Sequence, residues 1–117
     1  MAKALVNGAI VDVPDEDIAA KFCTLQDHGL VPILCVGETL EERQSDTTMK
    51  VVAKQINTVL KAAGPERLTN FVIAYEPVWA IGTGLTATPM QAQEAHAGIR
   101  SLLAESNQLM ADRIRIL

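Results

Sequence analysis

Residues 70–88 read NFVIAYEPVWAIGTGLTAT, and this stretch decides the fold of the chain. It opens with the bulky apolar run at residues 71–74, which is short enough to be a buried strand. Glu76 follows where that strand should end, and Pro77 interrupts the ladder of backbone hydrogen bonds. Residues 82–84, Gly-Thr-Gly, let backbone N–H groups approach a ligand closely. A carboxylate at a strand end, beneath a loop that can fold over it, suits a general base under a lid.

Three segments place apolar residues at helical spacing, and each carries local signals for its ends. The acidic residues 15–17 predict the cap and first turn of the first helix, which Gly29 ends. The second helix runs from about Thr47 to Gly64. The third begins at residues 88–91, TPMQ, which combine a threonine cap, a proline at the first position and a glutamine for a capping box.

Strand patterns alternate with these helices. Residues 31–36, VPILCV, form a near-continuous apolar run, which is typical of a parallel sheet covered on both faces. Residues 114–117 begin a further strand, and residues 40–45 form a charged loop or a short helical turn. This order predicts parallel strands joined by right-handed crossovers. By pattern alone the chain is therefore α/β, either a small open sheet or an arc of a barrel.

The composition excludes several classes of function. The chain has 117 residues, 49% of them hydrophobic and 21% charged, which is ordinary for a globular domain. Its net charge of −4 and the lack of a basic run argue against nucleic-acid binding. No apolar run reaches the roughly 20 residues that cross a bilayer, and no signal peptide is evident, so we expect a cytoplasmic protein and no membrane partner. The two cysteines and two histidines are too scattered to suggest a metal site, and no cofactor is expected.

Two sequence blocks resemble the triosephosphate isomerase family. YEPVWAIGTG, followed by TATPMQAQEAH, resembles that family's sixth strand, lid loop and next helix. Upstream, GLVPILCVGETLEER resembles the end of its fourth helix, its fifth strand and the loop beyond. The resemblance covers residues 15–117 and leaves residues 1–14 as an unmatched leader, in which residues 5–6 and 9–13 could form a short strand around an Asn7-Gly8 turn. It implies an α/β fold that is a partial (β/α)8 TIM barrel, with about three parallel strands and flanking helices.

The resemblance also implies a reaction and a site. In this family Glu76 matches the general base that interconverts glyceraldehyde 3-phosphate and dihydroxyacetone phosphate, a step of glycolysis. Gly82 matches the residue whose backbone N–H meets the substrate phosphate, and Tyr75 and Glu38 match the hydrogen-bond partners of the lid tryptophan. The lid loop comprises Pro77, Val78, Trp79, Ala80, Ile81, Thr83 and Gly84. Without the resemblance, Glu76 would be interpreted as a strand-end carboxylate paired with a lysine or a helix N-terminus. His96 lies inside the third helix, where a packing or surface role is favoured over a catalytic one.

The same resemblance implies that the family's lysine, its histidine and most of its phosphate site have no counterpart here. We therefore expect this chain alone to be inactive and a small sugar-phosphate substrate to bind only where a full site is assembled. The main alternative is a non-catalytic barrel fragment that self-associates or serves as an interaction module. A second alternative is a small phosphate-binding protein that keeps only the lid site. Because both faces of the predicted strands are apolar and the helices cover one, we expect a homo-oligomer.

Overall fold

The structure, a computed structural model, describes residues 2–6 and 9–117. Its first element is an antiparallel pair of strands, β1 (Ala2–Val6) and β2 (Ala9–Val13), in the register Ala2↔Val13 to Val6↔Ala9. The prediction of strand structure near the N-terminus is therefore confirmed, with a second strand added. The predicted Asn7-Gly8 turn lies outside the described residues.

The central sheet has three parallel strands in the order β3 (Ile33–Val36), β4 (Val72–Tyr75) and β5 (Arg115–Ile116). Ile33 pairs with Val72, which pairs in turn with Arg115. Strand β3 begins two residues later than predicted, because Pro32 has no N–H and contributes only its carbonyl, which accepts a hydrogen bond from the Val72 N–H at 3.0 Å. The three parallel strands confirm the α/β fold class.

The helices are α1 (Asp15–Asp27), α2 (Leu40–Gln44), α3 (Thr48–Ala63), α4 (Pro89–Ser106) and α5 (Gln108–Arg113), with 3₁₀ turns at Pro65–Arg67 and Val78–Ala80. The three predicted helices are present as α1, α3 and α4, and α5 is an additional helix that was not predicted. Gly29 and Gly64 follow α1 and α3 with φ of +74° and +76°, which is the left-handed conformation that glycine adopts at helix ends. The capping box of α4 is also confirmed, since Thr88 N–H donates to Gln91 Oε1 at 2.9 Å and Gln91 N–H donates to Thr88 Oγ1 at 3.1 Å.

One local prediction needs correction. The acidic residues 15–17 do not cap α1, because Pro14 occupies the N-cap position and its side chain has no hydrogen-bonding group. The carboxylates instead lie in the first turn, where their negative charges interact favourably with the positive end of the helix dipole. Of the two possibilities given for residues 40–45, the short helical turn is confirmed as α2, which begins with a second capping box between Thr39 and Glu42.

The core lies between one face of the sheet and the helices. Along β3, Leu34 and Val36 are buried whereas Ile33 and Cys35 are exposed, so the helices cover only alternate residues. The largest fully buried apolar side chains among the described residues come from β4 and from the facing sides of α3 and α4: Ile73, Val52, Ile56, Val59, Ile99 and Leu103. Among the described residues, no helix is long and apolar enough to cross a membrane. The opposite, open face of the sheet carries Ile33, Cys35 and Glu76, all of them exposed.

Candidate functional site

The carboxyl ends of β3 and β4 stay paired beyond the two strands. The Glu76 N–H donates to the Val36 carbonyl at 2.7 Å, and the Val78 N–H donates to the Glu38 carbonyl at 2.9 Å. Gly37 lies between these two contacts and faces Glu76. This extended pairing brings the base predicted from the sequence, the start of the lid and Glu38 to one edge of the sheet.

Glu38 is a completely buried carboxylate, with 0% exposure. It accepts hydrogen bonds from the Tyr75 hydroxyl at 2.8 and 3.1 Å and from the Trp79 indole N–H at 3.0 Å. The Arg43 guanidinium lies 3.5 Å from the same carboxylate and 6.0 Å from the centre of the Trp79 ring. The structure therefore brings together the two residues predicted as partners of the lid tryptophan. Glu38 accepts a hydrogen bond from Trp79 directly, and Tyr75 donates to the same Glu38 carboxylate.

The environment of Tyr75 reflects this buried cluster. Burial, followed by the hydrogen bond and the negative charge of Glu38, raises the pKa of the Tyr75 phenol above its ordinary value of 10.0, and Arg43 opposes the shift. The phenol therefore stays a hydrogen-bond donor to Glu38 at neutral pH. His96 packs edge-on to the Tyr75 ring at 6.5 Å, which agrees with the packing role favoured from the sequence.

Glu76 lies on the open face of the sheet and is exposed. Cys35 lies on the neighbouring strand β3, where it pairs with Ala74, two residues before Glu76. The pKa of the Cys35 thiol is raised, first by partial burial and then by the negative charge of Glu76 and a hydrogen bond to Glu76. Beside them is a cleft of about 30 Å³, lined by Cys35, Val36, Gly37, Gln55, Glu76, Val78 and Ile81. Val78 and Ile81, two apolar residues of the lid, thus line the cleft beside Glu76, whereas Leu85 is 52% exposed.

The lid is an ordered loop with internal hydrogen bonds. Pro77 is buried at its start, and the 3₁₀ turn Val78–Ala80 carries Trp79 toward Glu38. The Thr83 hydroxyl donates to the Trp79 carbonyl at 2.7 Å and accepts from the Leu85 N–H at 3.2 Å. On either side of Thr83, Gly82 and Gly84 adopt φ of +69° and +78°, a backbone conformation that favours glycine.

Two residues of this site, Arg43 and Gln55, are not predicted from the sequence. Arg43 lies four residues after the Thr39 cap, and only the fold of α2 brings it to Glu38 and Trp79. Gln55 is buried on α3 and holds Gly37 through two hydrogen bonds, of 3.0 and 3.2 Å. Its signal was present in the sequence, because a glutamine occupies a position of the apolar stripe between Val52 and Val59.

Comparison with known proteins completes the description. Residues 9–117 match the family model for triosephosphate isomerase, so the match begins within the segment interpreted as a leader. The triosephosphate isomerase of Pseudomonas syringae pv. syringae (strain B728a) is 51% identical over 108 residues, which cover 92% of this chain and 43% of that protein. The triosephosphate isomerase of Psychromonas ingrahamii is 53% identical over 103 residues, which cover 88% of this chain and 41% of that protein. This chain thus spans less than half the length of these curated relatives, and over that span it belongs to the triosephosphate isomerase family.

Proposed function

We propose that this chain carries the general base and the lid loop of a cytoplasmic triosephosphate isomerase, which interconverts glyceraldehyde 3-phosphate and dihydroxyacetone phosphate. The observation that carries the proposal is the juxtaposition at the carboxyl end of the sheet. There Glu76 follows β4 directly, and the lid that begins at Pro77 is fastened to buried Glu38 through Trp79. A base beneath a closing loop is the arrangement that this proton transfer requires.

In the proposed reaction, the Glu76 carboxylate removes a proton from the hydroxyl-bearing carbon beside the substrate carbonyl and returns it to the former carbonyl carbon. The hydroxyl proton passes to the former carbonyl oxygen through an acid–base group that the full site would supply. Closure of the lid would exclude water from the carboxylate, because Val78 and Ile81 already line the cleft beside it. The backbone N–H of Gly82 would then donate to the substrate phosphate. Glu38 does not take part in proton transfer in this scheme, and its role is to hold Trp79 and thereby the lid.

The isolated chain should nevertheless not catalyse this reaction. The cleft beside Glu76, at about 30 Å³, has room for a few water molecules, whereas pockets that enclose small ligands measure roughly 300–1,000 Å³. Glu76 also lies on an exposed face, where solvent screens the charge that develops during reaction. We therefore propose that a full site, and with it binding of the sugar phosphate, requires further polypeptide over this face.

A hybrid enzyme tests the proposed function. It is built by replacing the matching 108-residue segment of the Pseudomonas syringae relative with the segment of this chain that is 51% identical to it. A coupled assay should show isomerase turnover for the hybrid and none above the buffer background for this chain alone. A hybrid that folds, as judged by circular dichroism, but has no turnover would contradict the proposal. Turnover by the chain alone would show that the site assembles in a way that the exposed sheet face does not suggest.

Self-association is a second candidate property, and the exposed sheet face specifically favours it. Ile33 is 59% exposed on β3, and Leu30 and Val31 just before it are 55% and 51% exposed. At roughly 25 cal/mol per Å², covering about 400 Å² of such apolar surface would contribute about 10 kcal/mol before the entropic cost of association. We propose that the chain forms a homo-oligomer through this face.

Sedimentation equilibrium at low micromolar concentration measures this property directly. We expect a mass above that of one chain, together with a midpoint of urea unfolding that rises with protein concentration. An Ile33→Asp variant should shift the equilibrium toward the monomer, whereas Leu109→Asp, which alters a side chain 68% exposed on α5, serves as the matched control. A folded monomer whose unfolding does not depend on concentration would exclude self-association through this face.

A further inference from the structure

We propose that Gln55 is a positioning residue for the Glu76 base, acting through the backbone of Gly37. The inference rests on the proposed function for its effect on catalysis, although its structural part can be tested without any activity. Gln55 lies on α3, lines the small cleft beside Glu76 and is 6% exposed. It has no place in the proton transfer described above, yet it contacts the peptide that faces the base.

Gln55 makes two hydrogen bonds to Gly37, which satisfy both backbone groups of that residue. The Gly37 N–H donates to Gln55 Oε1 at 3.0 Å, and Gln55 Nε2 donates to the Gly37 carbonyl at 3.2 Å. The neighbouring carbonyls of Val36 and Glu38 are bonded to the β4 side, so the backbone groups of Gly37 point the other way. The side-chain amide therefore pairs with Gly37 as an adjacent strand would, and a buried N–H and C=O that would otherwise need partners are both satisfied.

Gly37 in turn fixes the backbone of Glu76. A Cβ atom placed on Gly37 would lie 2.0 Å from the Glu76 carbonyl oxygen and 2.6 Å from its carbonyl carbon, so the two backbones are in close contact. Movement of Gly37 toward β4 is therefore blocked by Glu76, and movement away from β4 is opposed by the two hydrogen bonds from Gln55. The Gly37 peptide is thus held between Gln55 and the Glu76 backbone, and this fixes the backbone position from which the Glu76 side chain extends.

The same contact reaches the lid through one further residue. Glu38 follows Gly37 in the chain, and its buried carboxylate accepts the Trp79 indole N–H at 3.0 Å. A displaced Gly37 peptide would therefore disturb both the base and the hydrogen bond that holds the lid. An apolar side chain at position 55 could fill the same space in the stripe of α3, but it could not hold the Gly37 peptide in register.

The first experiment separates positioning from packing in the hybrid enzyme. Gln55→Met keeps the length of the side chain and removes the hydrogen bonds to Gly37, whereas Ile56→Val removes one methylene from the fully buried neighbour and serves as the destabilised control. We expect Gln55→Met to lower kcat by about tenfold to a hundredfold with KM within about twofold, because the base is misplaced and the phosphate contact is kept. We expect Ile56→Val to leave both constants near those of the parent. Equal kcat values for the two variants would assign Gln55 a merely structural role.

The second experiment uses this chain itself and does not depend on catalysis. Trp79 is the only tryptophan, so its emission reports the contact with Glu38. Gln55→Met should shift that emission in the folded chain, and Ile56→Val should not. Gln55→Glu provides a second variant in case Gln55→Met does not fold, because it keeps an acceptor for the Gly37 N–H and loses the donor to the Gly37 carbonyl. Emission that is unchanged in the folded Gln55 variants, or shifted equally by Ile56→Val, would overturn the inference even if the hybrid proved inactive.

Discussion

Replacing Glu76 by Gln in the active hybrid enzyme should lower kcat by about 10²- to 10⁴-fold, the usual contribution of a positioned general base. The amide has almost the shape of the carboxylate but cannot accept the substrate proton. Because Glu76 lies on an exposed face and its backbone alone pairs with Val36, the substitution should leave the fold intact. KM should change far less than kcat, since the lost interaction is made mainly in the transition state.

Two further variants sharpen this measurement. Glu76→Asp keeps the acid–base group but withdraws it by one methylene, so its kcat should fall between those of the parent and Glu76→Gln. Glu105→Gln makes the same chemical change at an exposed position of α4 and should be neutral. If Glu76→Gln kept a tenth or more of the parental kcat, the carboxylate would not be the base, and the proposed role of this strand end would have to be abandoned.

Removing the buried carboxylate by Glu38→Ala should lower the free energy of unfolding of the chain by about 3–5 kcal/mol, the range for breaking a buried, hydrogen-bonded charge network. The Tyr75 hydroxyl and the Trp79 N–H would both lose their acceptor, and Arg43 would lose its counter-ion. Urea denaturation of parent and variant at one protein concentration measures the difference. The Trp79 emission of the folded variant should move to longer wavelength as the indole becomes hydrated.

Matched variants separate charge from hydrogen bonding. Glu38→Gln keeps an acceptor oxygen at nearly the same place, so it should lower the free energy of unfolding by less, about 1–2 kcal/mol. Glu41→Ala removes an exposed carboxylate three residues away and should stay within about 0.5 kcal/mol of the parent. A Glu38→Ala variant as stable as Glu41→Ala would mean that the buried carboxylate is compensated elsewhere and does not anchor the lid.

The parts of the fold that the sequence predicted correctly depend on local chemistry. The start of α4 was predicted from a threonine, a proline and a glutamine within four residues, and each takes the predicted role. Gly29 and Gly64 ended their helices because left-handed backbone conformations favour glycine over every other residue. Glu76 could be singled out because a carboxylate followed by a proline after an apolar run marks a strand end, although its catalytic role came from the family resemblance and not from the pattern.

The parts that sequence reasoning missed depend on register and on long-range contacts. The Cys35–Glu76 contact exists because Cys35 pairs with Ala74, and no periodicity determines which residues of two strands face each other. Arg43 reaches Trp79 only through the packing of α2 against the lid. Helix α4 ends and α5 begins at Asn107, whose side chain caps α5. This break was not predicted, because apolar residues continue at helical spacing across it. Gln55 was recognisable as a polar residue in an apolar stripe, but its partner on β3 was not.

The anchoring of the lid at both ends has a consequence for the thermodynamics of ligand binding. The loop leaves the sheet at buried Pro77, whose φ is fixed, and joins α4 at the Thr88 capping box, with Thr83 bonded to the Trp79 carbonyl between them. Ordering a loop of about ten free residues would cost roughly 10–20 kcal/mol of conformational entropy. A loop that is already ordered can move as a nearly rigid body, so most of that penalty was met when the chain folded. Closure over a phosphate ester should then show a small entropy change, and even a weak phosphate contact could hold the loop shut.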